Sequence, residues 1–311
     1  MRMIFISALA LLLPVGLAAC GSDDESGGGV DVVATTGIVA DLVEGVAGPN
    51  IDVTQIVPNG SSPHDFELSA QDRQDLEQAD LVVASGADLE AKMPLDEVDA
   101  PQWALADHVP DLLPFEEAGA RVPGASPEET EEESFVHDPH VWMDPTRVAD
   151  ALPSLADALA DADPEHAVAY RKGADAYAKE LRALDRKLAR ELASVPAEDR
   201  QLVTSHDALG YFADHYDFEV VATAFPASGP EAEASAARID EVEGAVRDAD
   251  VPAVFAQEED DPETLRLVAE ETGVEIVDDL VIESPGNTGG YEPMLRRDVD
   301  LISSALGGSA Q

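Results

Sequence analysis

The sequence predicts an α/β fold of two similar lobes with parallel-type sheets, joined by one long bridging helix. Three observations lead there. From Val30 onward, apolar β-branched runs alternate with segments of helical period, the pattern of parallel α/β units. The same alternation restarts after Pro196. Between the two stretches Tyr177, Leu181, Leu184, Leu188 and Leu192 recur at three- and four-residue steps, one continuous helical stripe. With 311 residues the chain can bury two cores.

Taken in order, Val30–Thr36 reads as a strand and Ile38–Val46 as a helix. Ile51–Val57 alternates like a strand and runs into the turn cluster Asn59–Pro63, ahead of His64. Ser69 is placed to cap a helix through Leu76, and Leu81–Ala84 is an apolar strand. Residues 116–134, with the acidic block Glu128–Glu133, interrupt the pattern and read as a solvated loop. The bridging helix is expected to start at Asp163-Pro164, an N-cap followed by proline, and to reach Ser194. It carries seven basic residues (Arg171, Lys172, Lys179, Arg182, Arg186, Lys187, Arg190), expected to pair at i,i+4 and to offset acidic lobes. The second half gives strand Gln201–Thr204, helix Ala208–His215, strand Glu219–Thr223, helix Ser235–Arg247 and strand Ala253–Ala256. Helix Pro262–Thr272, strand Glu275–Val277 and a closing helix Tyr291–Leu306 follow. No sequence repeat between the halves is evident.

Sixty-five acidic against 18 basic residues give a formal charge of −47. That surface repels nucleic acid and anionic lipid head groups and enriches cations nearby. It also repels itself, so the protein is expected to gain from the screening that salt provides. At the N-terminus, Arg2 and the apolar run Ile4–Leu17 have the form of an export leader, too short for a comfortable membrane span. Leu17-Ala18-Ala19-Cys20 resembles the lipobox of bacterial lipoproteins, which makes Cys20 a lipidation site and the chain's outer-face anchor. Cys20 is the only cysteine, so an intramolecular disulfide or a multi-thiolate metal site is excluded. The organisation is then leader and lipobox 1–20, tether 21–29, first lobe 30–162, bridging helix 163–195 and second lobe 196–311.

The chemistry centres on His137-Asp138-Pro139-His140-Val141-Trp142-Met143-Asp144-Pro145. Its prolines favour a stiff, non-helical run, so the two histidines are not a helical metal pair. His64 and His140, with His137 as the alternative to the latter, fall just beyond strands of the first half. His206 and Asp279, with Asp278 as its competitor, fall there in the second. Ligands of open α/β sheets gather at that edge. Three imidazoles and a carboxylate suit Zn²⁺, with Mn²⁺ as the alternative, and disfavour oxygen-seeking Mg²⁺ and Ca²⁺. His108, His166 and His215 read as surface residues.

These motifs resemble the metal-binding lipoproteins of bacterial ABC importers for zinc and manganese. The resemblance rests on Val33-Ala34-Thr35-Thr36, Pro63-His64-Asp65-Phe66-Glu67, Ala79-Asp80-Leu81-Val82-Val83, Asp138-Pro139-His140-Val141-Trp142-Met143-Asp144-Pro145 and Ser205-His206-Asp207-Ala208. It implies the metal ligands His64, His140, His206 and Asp279, and settles His140 over His137. It also implies a protein that captures Zn²⁺ in an inter-lobe cleft without chemistry. The captured ion passes to a permease and its ATPase, with no nucleic-acid partner, and the protein is expected as a monomer on the outer face of the cytoplasmic membrane. Three features depart from the family. The third ligand is His206 where manganese-type members often carry Glu, which favours zinc. The loop before His137 is acidic rather than histidine-rich, and Gln257 stands where Glu is usual. A zinc-dependent hydrolase and a surface adhesin are the rival readings.

Overall fold

The structure, a computed structural model, describes residues 29–115, 136–225, 236–258 and 262–307. The leader, Cys20, most of the tether and the acidic 116–134 segment lie outside them. Two four-stranded, all-parallel sheets organise the described chain. The first has order β2-β1-β3-β4, from β1 (Val32–Ala34), β2 (Val53–Gln55), β3 (Leu81–Ala84) and β4 (Gln102–Ala104). The second has order β6-β5-β7-β8, from β5 (Gln201–Thr204), β6 (Glu219–Thr223), β7 (Ala253–Gln257) and β8 (Glu275–Leu280). The halves are therefore wound identically, although their sequences do not repeat.

The inner strands β1, β3 and β7 are buried along their whole length because both faces of the sheets are covered there. Val32, Ala34, Leu81 and Val83 point into a core that also takes in Leu202, Ala253 and Phe255 of the second sheet. The alternate residues, Val33 and Val82, join a smaller cluster with Leu76 outside the first sheet. Val203, Val254 and Ala256 do the same outside the second. Period-two alternation thus gives each lobe a private outer cluster and both lobes one shared interior.

Helix α1 (Gly37–Ala47) is capped by Thr36, and α2 (Ala70–Gln78) by a reciprocal Ser69/Asp72 capping box. Such a cap is worth about 1 kcal/mol. Helix α3 (Pro145–Ala162) is unexpected from sequence, where Pro153 in its interior argues against a helix. Asp144 caps it, accepting from Thr146 N at 2.8 Å, so the second half of the His-Asp-Pro run starts a helix after all. The bridging helix α4 (Ala167–Leu192) starts later than expected, because Asp163 closes α3 and accepts from His166 and Tyr170. At 26 residues it is about 39 Å long. Its Arg171 and Arg182 pair with Asp157 and Asp150 on α3 rather than along α4 itself.

Helices α5 (Gly210–Tyr216), α6 (Ala236–Ala249), α7 (Glu263–Thr272) and α8 (Tyr291–Gly307) complete the second half. The bridging helix packs against α3, α1 and α8. Its approach to α1 depends on glycine: a Cβ on Gly173 would lie 2.0 Å from Val46 O, and one on Gly45 would strike the Tyr177 ring.

Candidate metal centre

His64, His206 and Glu283 follow the carboxyl ends of strands β2, β5 and β8, and His140 joins them from the segment before α3. His64 follows β2 through a turn in which its N–H donates to Ser62 Oγ (3.3 Å). His140 enters a single 3₁₀ turn, Val141–Met143, ahead of α3. His206 follows β5, and Thr204 Oγ1 donates to its carbonyl at 2.8 Å to hold the turn. The three rings lie 5.2–5.4 Å apart by centroid and are buried.

The fourth member is Glu283. His64, His140, His206 and Glu283 each offer one donor atom, all within 4.8 Å of one another. Glu283 Oε1 is 3.1 Å from His64 Nε2 and 3.3 Å from His206 Nε2, and the Nε2 atoms of His64 and His140 are 3.4 Å apart. Metal–nitrogen bonds of about 2.0–2.1 Å in a tetrahedron place neighbouring donors about 3.3–3.4 Å apart. The three separations are close to the edges of such a figure.

Asp279 does not reach this cluster. Strand β8 continues through Asp278 and Asp279 to Leu280, where the sequence reading stopped at Val277. Both aspartates therefore remain on the strand's exposed stretch: Asp279 lies 3.8 Å from Arg297 and Asp278 3.0 Å from Arg266. The chain turns inward at Leu280 and stays buried through Val281-Ile282-Glu283. The one sequence feature that points to Glu283 is the turn cluster Ser284-Pro285-Gly286 after it, which parallels the one before His64 and does not by itself single the residue out. His137 stays half-buried in an isolated bridge with Pro114, outside the cluster.

Asp138 was read only as part of a stiff run, and it does more. Its Oδ1 accepts from His140 Nδ1 at 2.7 Å and from the His140 backbone N–H at 2.8 Å. With Nδ1 donating, Nε2 carries the lone pair that faces the other donors. Burial pushes the His140 imidazole below its usual pKa, against the opposing pull of Asp138. Burial alone would raise the Glu283 carboxyl, but hydrogen bonds and charge from His206 and His64 together hold it well below the usual range. These shifts favour neutral imidazole at His140 and carboxylate at Glu283, the forms that bind a divalent cation. Nearby, burial and then the Asp138 charge push Asp207 up to about 7. Gln257, at the end of β7, is buried, and its backbone N–H donates to Ser205 Oγ at 3.3 Å.

Two identically wound lobes meeting over one buried nitrogen-rich donor set define a bilobed substrate-binding protein whose substrate is a divalent metal ion. Residues 32–305 match the family described as zinc-uptake complex component A, periplasmic, and the chain belongs to that family. It is 28% identical over 316 aligned residues to the manganese-binding lipoprotein MntA of Halalkalibacterium halodurans, covering 98% of this chain and 99% of that one. Among solved structures, the periplasmic zinc-binding protein TroA of Treponema pallidum superposes with a TM-score of 0.77 at 26% identity, over 90% of this chain and 99% of that one. The laminin-binding protein of Streptococcus agalactiae, described as having adhesin and metal-transporting activity, gives 0.74 at 25% identity, over 89% and 99%.

Proposed function

We propose that this chain captures Zn²⁺ through His64, His140, His206 and Glu283 and delivers it to an ABC permease and its ATPase. Mn²⁺ is the alternative cargo. A lipid on Cys20 tethers the protein to the outer face of the cytoplasmic membrane, consistent with the lipoprotein relatives. No described helix is long and apolar enough to cross a membrane. The observation that carries the reading is the buried cluster of three imidazoles and one carboxylate whose donor atoms all lie within 4.8 Å of one another. Nitrogen-rich donor sets favour zinc, while manganese prefers oxygen.

The hydrolase reading loses ground because a catalytic zinc keeps one position open for water, and in the proposed ligand set Glu283 would take that position. The adhesin reading rests on the description of the Streptococcus agalactiae neighbour alone: Val136, Val168 and Leu267 are the exposed large apolar residues among those described, and they offer no apolar patch.

Zinc titration with manganese competition tests the proposal. His140→Ala and Glu283→Ala should each weaken zinc binding by about 100-fold or more, since even loss of a residue behind a ligand costs about 10–100-fold. Asp279→Ala should bind as the parent does. The reverse pattern for Glu283 and Asp279 would overturn the ligand set, and manganese displacing zinc at equal concentration would reverse the cargo.

A further inference from the structure

We propose that Trp142 is a positioning residue that holds the carboxylate ligand of one lobe in place from the other. The inference rests on the metal-capture reading above and concerns how the fourth donor is kept there. Glu283 sits on a loop beyond β8, away from the ladder that orders the strand. Its neighbours on both sides are fixed by donors from the first lobe. Trp142 Nε1 donates to Ile282 O at 2.8 Å, and Gly60 N donates to Ser284 Oγ at 3.0 Å. Trp142 is fully buried, two residues after His140, and its indole meets the His140 ring edge-on with centroids 5.3 Å apart.

Trp142 is itself fixed from the second lobe. The Tyr291 hydroxyl donates to Trp142 O, and the Tyr291 backbone N–H donates to Asp41 Oδ2 at 3.1 Å. The same Asp41 oxygen accepts from the Tyr177 hydroxyl of the bridging helix at 3.1 Å. One route therefore runs from a first-lobe ligand, His140, through the buried indole N–H to the residue next to a second-lobe ligand. A buried indole N–H needs an acceptor, so this bond holds the indole and the Ile282 carbonyl together. Drift of Glu283 away from the three imidazoles would have to break it. The consequence is kinetic: the bond slows release of the ion more than it speeds capture.

Trp142→Phe keeps an aromatic ring and removes the donor. Zinc release, followed by chelator challenge in stopped flow, should accelerate roughly 10-fold, with the association rate nearly unchanged. In a Glu283→Gln background the same substitution should add little, because the side chain it positions no longer supplies a carboxylate. Tyr291→Phe, which leaves the indole intact, should accelerate release by a smaller factor and serves if Trp142→Phe folds poorly. Unchanged release in both variants, or an equal acceleration with and without Glu283, would overturn the proposal. If Glu283→Gln and His140→Ala themselves leave zinc binding untouched, the metal-site reading has failed rather than this one.

Discussion

The two lobes share a strand order but not a way of holding their ligands. In the first lobe His140 is oriented by Asp138, two residues away, which takes both its ring and its backbone N–H. In the second, Glu283 lies on a loop whose neighbours are held by Trp142 and Gly60 of the opposite lobe. The bridging helix shows the same inequality: it packs chiefly on α1 and α3 of the first lobe and meets the second through α8 and, by way of Asp185, through His215 and Tyr216 of α5. The first lobe with its helix is thus a prebuilt half-site, and the second is completed by contact. A shared core running through both inner faces explains how that contact persists, since the lobes cannot part widely without exposing it.

The largest test strikes the joint between that half-site and its helix. Gly173→Ala would drive a Cβ to 2.0 Å from the Val46 carbonyl, a backbone atom that cannot swing aside. Alanine is the better helix former by about 1 kcal/mol, so propensity alone predicts a gain. Overpacking should win, with a net loss of about 3 kcal/mol in chemical denaturation. A variant as stable as the parent would show that α1 and the bridging helix can part at little cost, and the first lobe would lose its claim to be the rigid one.

The next test separates the two ways of holding a ligand. Asp138→Ala removes the acceptor behind His140 while leaving all four donors in the chain. Zinc affinity should fall about 10- to 100-fold, equivalent to about 1.4–2.7 kcal/mol, in a calorimetric titration. Because Asp138 acts within its own lobe, its effect should persist at similar size in the Glu283→Gln background, where that of Trp142→Phe fades. Loss of the Asp138 effect there would mean that both braces act through one element, and the contrast between lobes would collapse.

How much of this was legible depended on whether the deciding contact is local in sequence. Leu81–Ala84, Gln201–Thr204 and Glu219–Thr223 were readable to the residue because short β-branched runs between turn signals leave little choice. His64 and His206 stood out because histidine is rare here and each stands beside a turn, whereas His140 was chosen over His137 only through the family resemblance. Glu283 was not: it is one of 65 acids, and Asp278-Asp279 looked like the end of a strand that in fact continues to Leu280. Helix α3 was hidden by Pro153, and the start of α4 by an Asp-Pro pair that belongs to the turn before it. Asp138 and Trp142 were visible as residues, but their partners lie in a ring nitrogen's tautomer and in a carbonyl 140 positions away.

The smallest effect concerns the surface rather than the site. The chain carries a net charge of −47, whereas the donor cluster is buried and made of three imidazoles and one carboxylate. Salt should therefore act on the two differently. Raising ionic strength from low to molar shortens the screening length to about 3 Å and relieves repulsion among exposed carboxylates. The melting temperature of the metal-free protein should rise by several degrees, roughly the shift that 1–2 kcal/mol produces in a chain of this size. The zinc dissociation rate should move little over the same range, because the ligands exchange contacts inside the core. A melting temperature that stays flat would mean that the basic bridging helix and cross-helix pairs such as Arg171–Asp157 already neutralise what matters.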